Sequence, residues 1–447
     1  MNNFKLHKLF KQTCILSAVA PIIIGLVGLA YPYGLPLFSL VTILMGGICI
    51  VNFIFSPKIH VDKNLLLVIF LELLYIVAVI RYGEAIKPVT SNLRKIFFLN
   101  LYFIFLYAFK FSFDEMIIFL KYIRNFTILA AVIIAALGLQ KFQLLLNGVI
   151  VEKYLIGEKY PIGTSLVADY NMFSFVLLSA SLYILYYFTQ AKSIILKFLY
   201  LACFSIILPC SFLAGSRRTL VLMTLILMIS IFVILFKQFR LKKLLKGTIH
   251  TNYIKNITVL ITLIFIIGFA FNKVDFEIDL NSYEFTKIKY RVETLLDSGD
   301  NQGSFNERTI RWEFAKNITA QSNILQIFFG RGLDYLKLFG SLSTGPFDHP
   351  HNIFISHFFF SGIIGLLVLI ALFIISGWYY YKQIDLLFPE FIIFFIVLLY
   401  YLISNDIIFS ARPFFMHLIL AFYFYFINNR QNRLSQSKHN EYSSYIK

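Results

Sequence analysis

Arg308 and Arg311 stand one turn apart beside Trp312, in a segment where Ile310, Phe314 and Ile318 recur at helical spacing. Guanidinium groups grip phosphate oxygens through paired N–H donors, so this segment is a candidate anion-holding face. Further on, Asp348-His349-Pro350-His351-Asn352 directly precedes a long apolar run. A histidine fixed at that point suits proton handling, because imidazole titrates close to neutral pH. Two imidazoles and a carboxylate could also hold a metal ion. No further strong ligand with helical spacing stands near, however, and the expectation is a site with no metal and no cofactor. Gly215-Ser216-Arg217-Arg218 sets two more arginines at the edge of an apolar run, where a charge is costly unless it reaches an interface or an anion. Asp169 and Asn171 open another run, as substrate-facing groups or simply as helix caps. Arg331 lies between Gly330 and Gly332, a pair that signals a turn; no strand–helix context surrounds it, so it is not a dinucleotide fingerprint.

The elements that must position these residues are set by solvent. The chain has 447 residues, 59% hydrophobic and 14% charged, and its mean hydropathy is +0.77. A water-soluble protein could not hide that much apolar surface, which excludes a cytosolic enzyme, a disordered chain and a disulfide-built secreted scaffold. The net charge of +17 would suggest nucleic acid in a soluble chain. Here the bases sit in short loops between apolar runs, where they set orientation and meet anionic headgroups, so no nucleic-acid partner is expected. Cys14, Cys49, Cys203 and Cys210 all lie inside apolar runs and form neither a disulfide framework nor a metal site.

Runs long enough to cross a bilayer occur at 13–31, 35–54, 64–80, 96–112, 126–147, 166–189, 194–214, 217–236, 257–273, 353–378, 389–404 and 411–427. Twelve crossings put both termini on one side. The basic ends (Lys5, Lys8, Lys11; Arg430, Arg433, Lys438) and the Lys237–Lys255 stretch assign that side to the cytoplasm. The 81–95 loop, with Arg81, Lys87, Arg94 and Lys95, runs against this rule. Segment 110–125 has an apolar stripe with charged flanks and suits the inner membrane surface. Three regions result: spans one to nine in 1–273, a large external loop in 274–350, and the last three spans with a basic tail in 351–447. The loop is too long for a connector and is expected to be functional. Within it Ser304-Phe305-Asn306-Glu307 fits a capping box, which starts a helix expected to lie on the membrane surface with Arg308 and Arg311 near the headgroups. Glu72, Lys141, His357, Asp406 and His417 lie within or at the ends of spans, and each is a candidate functional group.

Arginines, a histidine and an acid thus converge on the outer membrane face. A lipid-linked pyrophosphate presents its anion at that depth, and the chemistry indicated is group transfer with pyrophosphate leaving, stabilised by guanidinium.

In these motifs the chain resembles the O-antigen ligase/O-antigen polymerase superfamily of bacterial membrane glycosyltransferases. The resemblance runs from about residue 165 to 370. It rests on Asn171, on Gly215-Ser216-Arg217, on Arg308-x-x-x-Trp312, on Gly330-x-Gly332, and on His351-Asn352 ahead of Gly362-x-x-Gly365, in that order. Arg218, Arg311 and His349 double the expected residues, Arg331 fills a position often uncharged, and Tyr170 stands where a proline is common.

The resemblance implies an all-α polytopic, GT-C-like fold in the bacterial cytoplasmic membrane, and an undecaprenyl-pyrophosphate-linked glycan as donor. It implies that Arg217, Arg308 and His351 are catalytic, the arginines on the pyrophosphate and the histidine on the acceptor hydroxyl. Arg218, Arg311, Asn171, Asp169, Trp312, Asn352 and Arg331 are expected to bind substrate. The expected partners are an acceptor glycolipid and membrane lipids, with a chain-length regulator and a flippase beside them. The activity expected first is polymerisation of repeat units of O-antigen or capsular polysaccharide. The alternative is ligation of the finished chain to lipid A–core or protein. A polysaccharide transporter or flippase fits less well: transporters place ionisable groups near the midplane and show paired repeats, whereas the unusual residues here crowd the outer mouth.

Overall fold

The structure is a computed structural model describing residues 2–27, 34–55, 86–109, 111–146, 170–213, 304–342, 348–402 and 420–425, with isolated positions besides. Every regular element among them is a helix. In chain order these are α1 (Asn2–Val27), α2 (Gly34–Phe55), α3 (Ile86–Ala108), α4 (Phe113–Leu146), α5 (Tyr170–Gln190), α6 (Ile194–Leu213), α7 (Ser304–Ala320), α8 (Ile324–Phe329), α9 (Asp334–Gly340), α10 (Ile353–Lys382) and α11 (Ile384–Leu402). Six carry stretches long and apolar enough to cross a membrane: Leu9–Val27, Leu35–Ile54, Phe113–Leu144, Met172–Gln190, Ile194–Ser211 and Ile353–Lys382. The chain is a helical integral membrane protein. The expected span at 257–273, and all but isolated positions of those at 64–80 and 217–236, lie outside the described residues, as does most of 411–427. The segment expected to lie along the inner surface is continuous with its neighbouring span: Phe113–Leu146 is one helix, and Met116, Phe119, Leu120 and Ile123 are buried against protein.

The chain forms two compact units, residues 1–127 with 299–447, and residues 128–298. In the second, α5 packs on α6, and Cys210 Sγ meets the Ala135 carbonyl at 3.5 Å. No cysteine among the described residues is disulfide-bonded.

In the first unit α1, α2 and α3 form one packed group and α10 packs on both α8 and α11. An ion pair inside it joins α4 to α11. Arg124 donates Nε to Glu390 Oε1 (2.8 Å) and Nη2 to Glu390 Oε2 (2.7 Å), and Nη2 also reaches the Leu386 carbonyl (2.8 Å). Both side chains are almost wholly out of water. The Leu386 carbonyl sits beside a break in α11, where Leu387 is non-helical and Pro389 has no N–H. The guanidinium thus satisfies both a buried carboxylate and a backbone group at the break. Removing one member of such a pair costs about 3–5 kcal/mol.

The break in α10 positions the site. Gly362 interrupts the helix at φ 70°, ψ −171°, a conformation open essentially only to glycine. A break in a span frees backbone carbonyls that hydrocarbon cannot satisfy. Here the loop before the span satisfies them: Arg331 N donates to Phe359 O (2.6 Å) and Gly332 N to Phe360 O (3.1 Å). Backbone meets backbone, which is why glycine stands on both sides. A Cβ on Gly330 would lie 2.6 Å from the Gly362 nitrogen, and one on Gly362 would lie 2.5 Å from the Phe329 nitrogen. The Gly330-x-Gly332 turn and the Gly362 kink therefore form one clasp. Gly362→Ala should weaken it by at least the cost of the backbone strain, about 1–3 kcal/mol. The expected result is a clearly lower Tm in detergent; an unchanged Tm would remove the clasp as a stabilising contact.

Candidate active site

α7 begins at Ser304, where the capping-box spacing puts it, and the side chains of this helix are described from Arg308 onward. Part of its apolar stripe faces protein. Phe314 packs edge-on against Phe339 of α9 (5.4 Å), and Ala315 and Ile318 are buried, while Ile310 stays exposed. Part of the stripe expected to rest on the membrane thus meets protein, with Phe339 of α9 against Phe314, and Ile310 stays open.

Two consecutive residues of α7 hold the turn ahead of α10. Arg311 donates both Nε (3.0 Å) and Nη2 (2.7 Å) to Asp348 Oδ2. Trp312 Nε1 donates to the Pro350 carbonyl (2.9 Å). The other Asp348 oxygen, Oδ1, accepts the His349 backbone N–H (2.8 Å). It also lies 3.8 Å from His349 Nδ1 and 3.9 Å from His351 Nε2. The two imidazoles are 4.1 Å apart between centroids and tilted by 51°.

His351 is the one non-glycine residue at positive φ (53°) among those described. Such backbone is uncommon outside glycine and is held only where its surroundings enforce it. The enforcement is visible: Trp312 pins the carbonyl before His351, and Asn352 after it caps α10 in extended conformation. Asn352 Oδ1 accepts the N–H groups of Phe354 (3.0 Å) and Ile355 (3.2 Å). The capping role is thus filled by Asn352 and not by His351.

The electrostatics separate acid from base. Burial works to raise the Asp348 carboxyl, but the Arg311 hydrogen bond, the His349 N–H and the Arg311 charge outweigh it and hold it below its ordinary value. His351 is pushed down from 6.5 to about 4, first by burial, then by the charges of His349 and Arg311, with Arg308 adding and Asp348 opposing. At neutral pH its imidazole is neutral and able to accept a proton.

Asp348, His349 and His351 also bring three ligand atoms within 4.8 Å of one another, a grouping that a divalent ion with imidazole preference could use. Asp348 is committed to Arg311, and the surrounding guanidiniums make the turn a poor place for a hard cation.

The tertiary fold thus assembles Arg311, Trp312, His351 and Asn352, with Arg308 near enough for its charge to act on His351. Arg331 sits in the same unit, at the clasp. Its Nη2 donates to Ser322 Oγ (2.9 Å) and its Nε is buried without a hydrogen bond. Arg217, Arg218 and Asp169 lie outside the described residues, as does the side chain of Asn171 near the start of α5. Sequence reasoning missed Asp348 as the junction between α7 and the histidine turn, because the pairing spans 37 positions.

Helices long and apolar enough to cross a membrane, with a histidine-bearing turn braced by Arg311 and Trp312 ahead of one of them, define a polytopic membrane protein. Residues 201–370 match the family model described as O-Antigen ligase. That region, which contains Arg217, Arg308 and His351, is similar to the O-antigen ligase/polymerase superfamily, whose members are membrane glycosyltransferase-like ligases and polymerases. No curated protein and no solved structure matches the chain.

Proposed function

We propose that this protein is a glycosyltransferase of the bacterial cytoplasmic membrane, active on its outer face, with both termini in the cytoplasm. It joins undecaprenyl-pyrophosphate-linked oligosaccharide repeats into O-antigen or capsular polysaccharide. The observation that carries this reading is a neutral imidazole, His351, braced by α7 within the field of Arg308. In the proposed step the acceptor hydroxyl attacks the anomeric carbon of the donor and the bond to the pyrophosphate oxygen breaks. The hydroxyl proton passes to His351, and the departing undecaprenyl pyrophosphate takes the electron pair, its charge met by Arg308 and Arg217. Arg311 and Trp312 act through the turn they hold. Asp169, Asn171, Arg218 and Arg331 are proposed as further substrate contacts.

Ligation of a finished chain to lipid A–core or protein needs the same donor chemistry and differs only in acceptor. The two are told apart by gene deletion. Loss of a polymerase should leave single capped repeats, whereas loss of a ligase should leave lipid-linked polymer unattached.

Two further outcomes follow from this reading. Transfer by the purified protein should survive excess EDTA without added Mg²⁺ or Mn²⁺, because guanidinium supplies the charge stabilisation. Rescue of a chelated, inactive sample by one divalent ion would make Asp348, His349 and His351 ligands instead. His349→Ala should cost far less activity than loss of His351, which a product assay on both variants will measure.

A further inference from the structure

We propose that α8 is an interfacial anchor, its apolar face inserted among the acyl chains of the outer leaflet. Four of its six residues are large, apolar and exposed: Ile324 (69%), Leu325 (54%), Phe328 (46%) and Phe329 (46%). So dense a cluster facing water would be an aggregation liability. Its flanking polar side chains bond to the helix's own backbone. Asn323 and Gln326 close a reciprocal capping box, with Asn323 Oδ1 accepting the Gln326 N–H (2.9 Å) and Gln326 Oε1 accepting the Asn323 N–H (3.2 Å). At the other end Gly330 N donates to Gln326 O (2.9 Å), and the next two N–H groups bond into α10. These bonds close part of the polar backbone at each end of the short helix, which lowers the cost of placing its apolar face against lipid.

α10 supplies the level. From Ile353 to Gly362 none of its residues is exposed. Below the kink an exposed apolar series begins at Ile363 and continues through Leu367, Ile374, Trp378 and Tyr381. At 1.5 Å per residue, Ile363 to Tyr381 spans about 27 Å, close to the hydrocarbon thickness of a bilayer. Trp378, Tyr381 and Lys382, whose ammonium lies 5.1 Å from the Trp378 ring centre, form an aromatic–basic belt at the far boundary. The near boundary then falls at the kink, where α8 docks through Gly330 and Gly362. Arg331, next to Gly330, sets a guanidinium at the same level, where lipid phosphates lie. The occupant that matches both depth and chemistry is the lipid itself. The denser exposed apolar cluster is on α8, which ties the height of the histidine turn to the membrane surface. The insertion itself stands apart from the catalytic proposal; only the assignment to the outer leaflet rests on it.

The test places nitroxide labels on Leu325→Cys and, separately, Phe328→Cys, with Lys316→Cys on the exposed side of α7 as the water reference. The background is full-length Cys203→Ser protein, since the other three native cysteines are buried. The protein is reconstituted in phosphatidylethanolamine–phosphatidylglycerol vesicles, and collision of the label with oxygen is compared with collision with a water-soluble nickel chelate. The expected result is oxygen dominance at 325 and 328, several-fold relative to 316. Chelate access at both positions equal to that at 316 would overturn insertion. Exclusion of both probes would also overturn it, because a second protein surface would then cover the helix.

Discussion

His351→Ala is expected to slow glycan transfer about a hundredfold or more, about 2.7 kcal/mol of activation free energy, while donor binding stays nearly intact because the arginines remain. Three features motivate this. The imidazole is neutral at working pH. Its ring is set by a backbone conformation that Trp312 and Asn352 enforce from either side. Its neighbour Asn352, not His351 itself, caps α10, so the variant removes a proton acceptor without uncapping the helix. His351→Gln separates the roles further, since it keeps a hydrogen-bonding group with no basicity at neutral pH, and near-normal turnover in it would end the general-base proposal. The pH profile gives a second check. A base whose pKa is about 4 is unprotonated above that value, so kcat/KM should stay level from neutral pH down to about 5.5 and fall only as pH approaches 4. Bound pyrophosphate adds negative charge that favours the imidazolium, so the acid limb of kcat should lie higher than that of kcat/KM. A kcat/KM limb centred near 6.5, the ordinary histidine value, would contradict the buried, positively flanked environment.

Arg308→Lys and Arg217→Lys should each reduce transfer by at least about tenfold although charge is conserved. A guanidinium presents a planar fork to two phosphate oxygens, whereas an ammonium is a point charge that must be reoriented and desolvated. Arg308 stands one turn before Arg311, and the two have different tasks. Arg311 is committed to Asp348, so Arg311→Lys should act through the histidine turn, changing the pH profile as well as the rate. Arg308→Lys should leave the pH profile nearly in place and weaken stabilisation of the leaving pyrophosphate. Full activity in both the Arg308 and Arg217 lysine variants, at normal membrane levels, would dismiss the arginine clamp.

Composition alone determined the solvent: a chain this apolar has a bilayer around it, and long apolar runs in a bilayer become helices because the backbone must satisfy itself. Helix starts were also readable where the signal is local. Ser304 opens α7, because a Ser-x-x-Glu start involves residues only three apart; the Asn352 cap of α10 came from the structure. The ordered motifs pointed to the superfamily that the 201–370 match supports. Pairings across long separations were not readable, because side-chain type does not specify a partner. The Arg311–Asp348 bridge, the Arg124–Glu390 pair and the docking of Gly330 on Gly362 join positions 37, 266 and 32 residues apart. The tertiary structure also decided which apolar face meets lipid. Periodicity marks the stripe of α7 as one to be covered by something apolar, but only packing shows that Phe314 meets Phe339 of α9 and that the short, non-periodic α8 carries the denser exposed cluster.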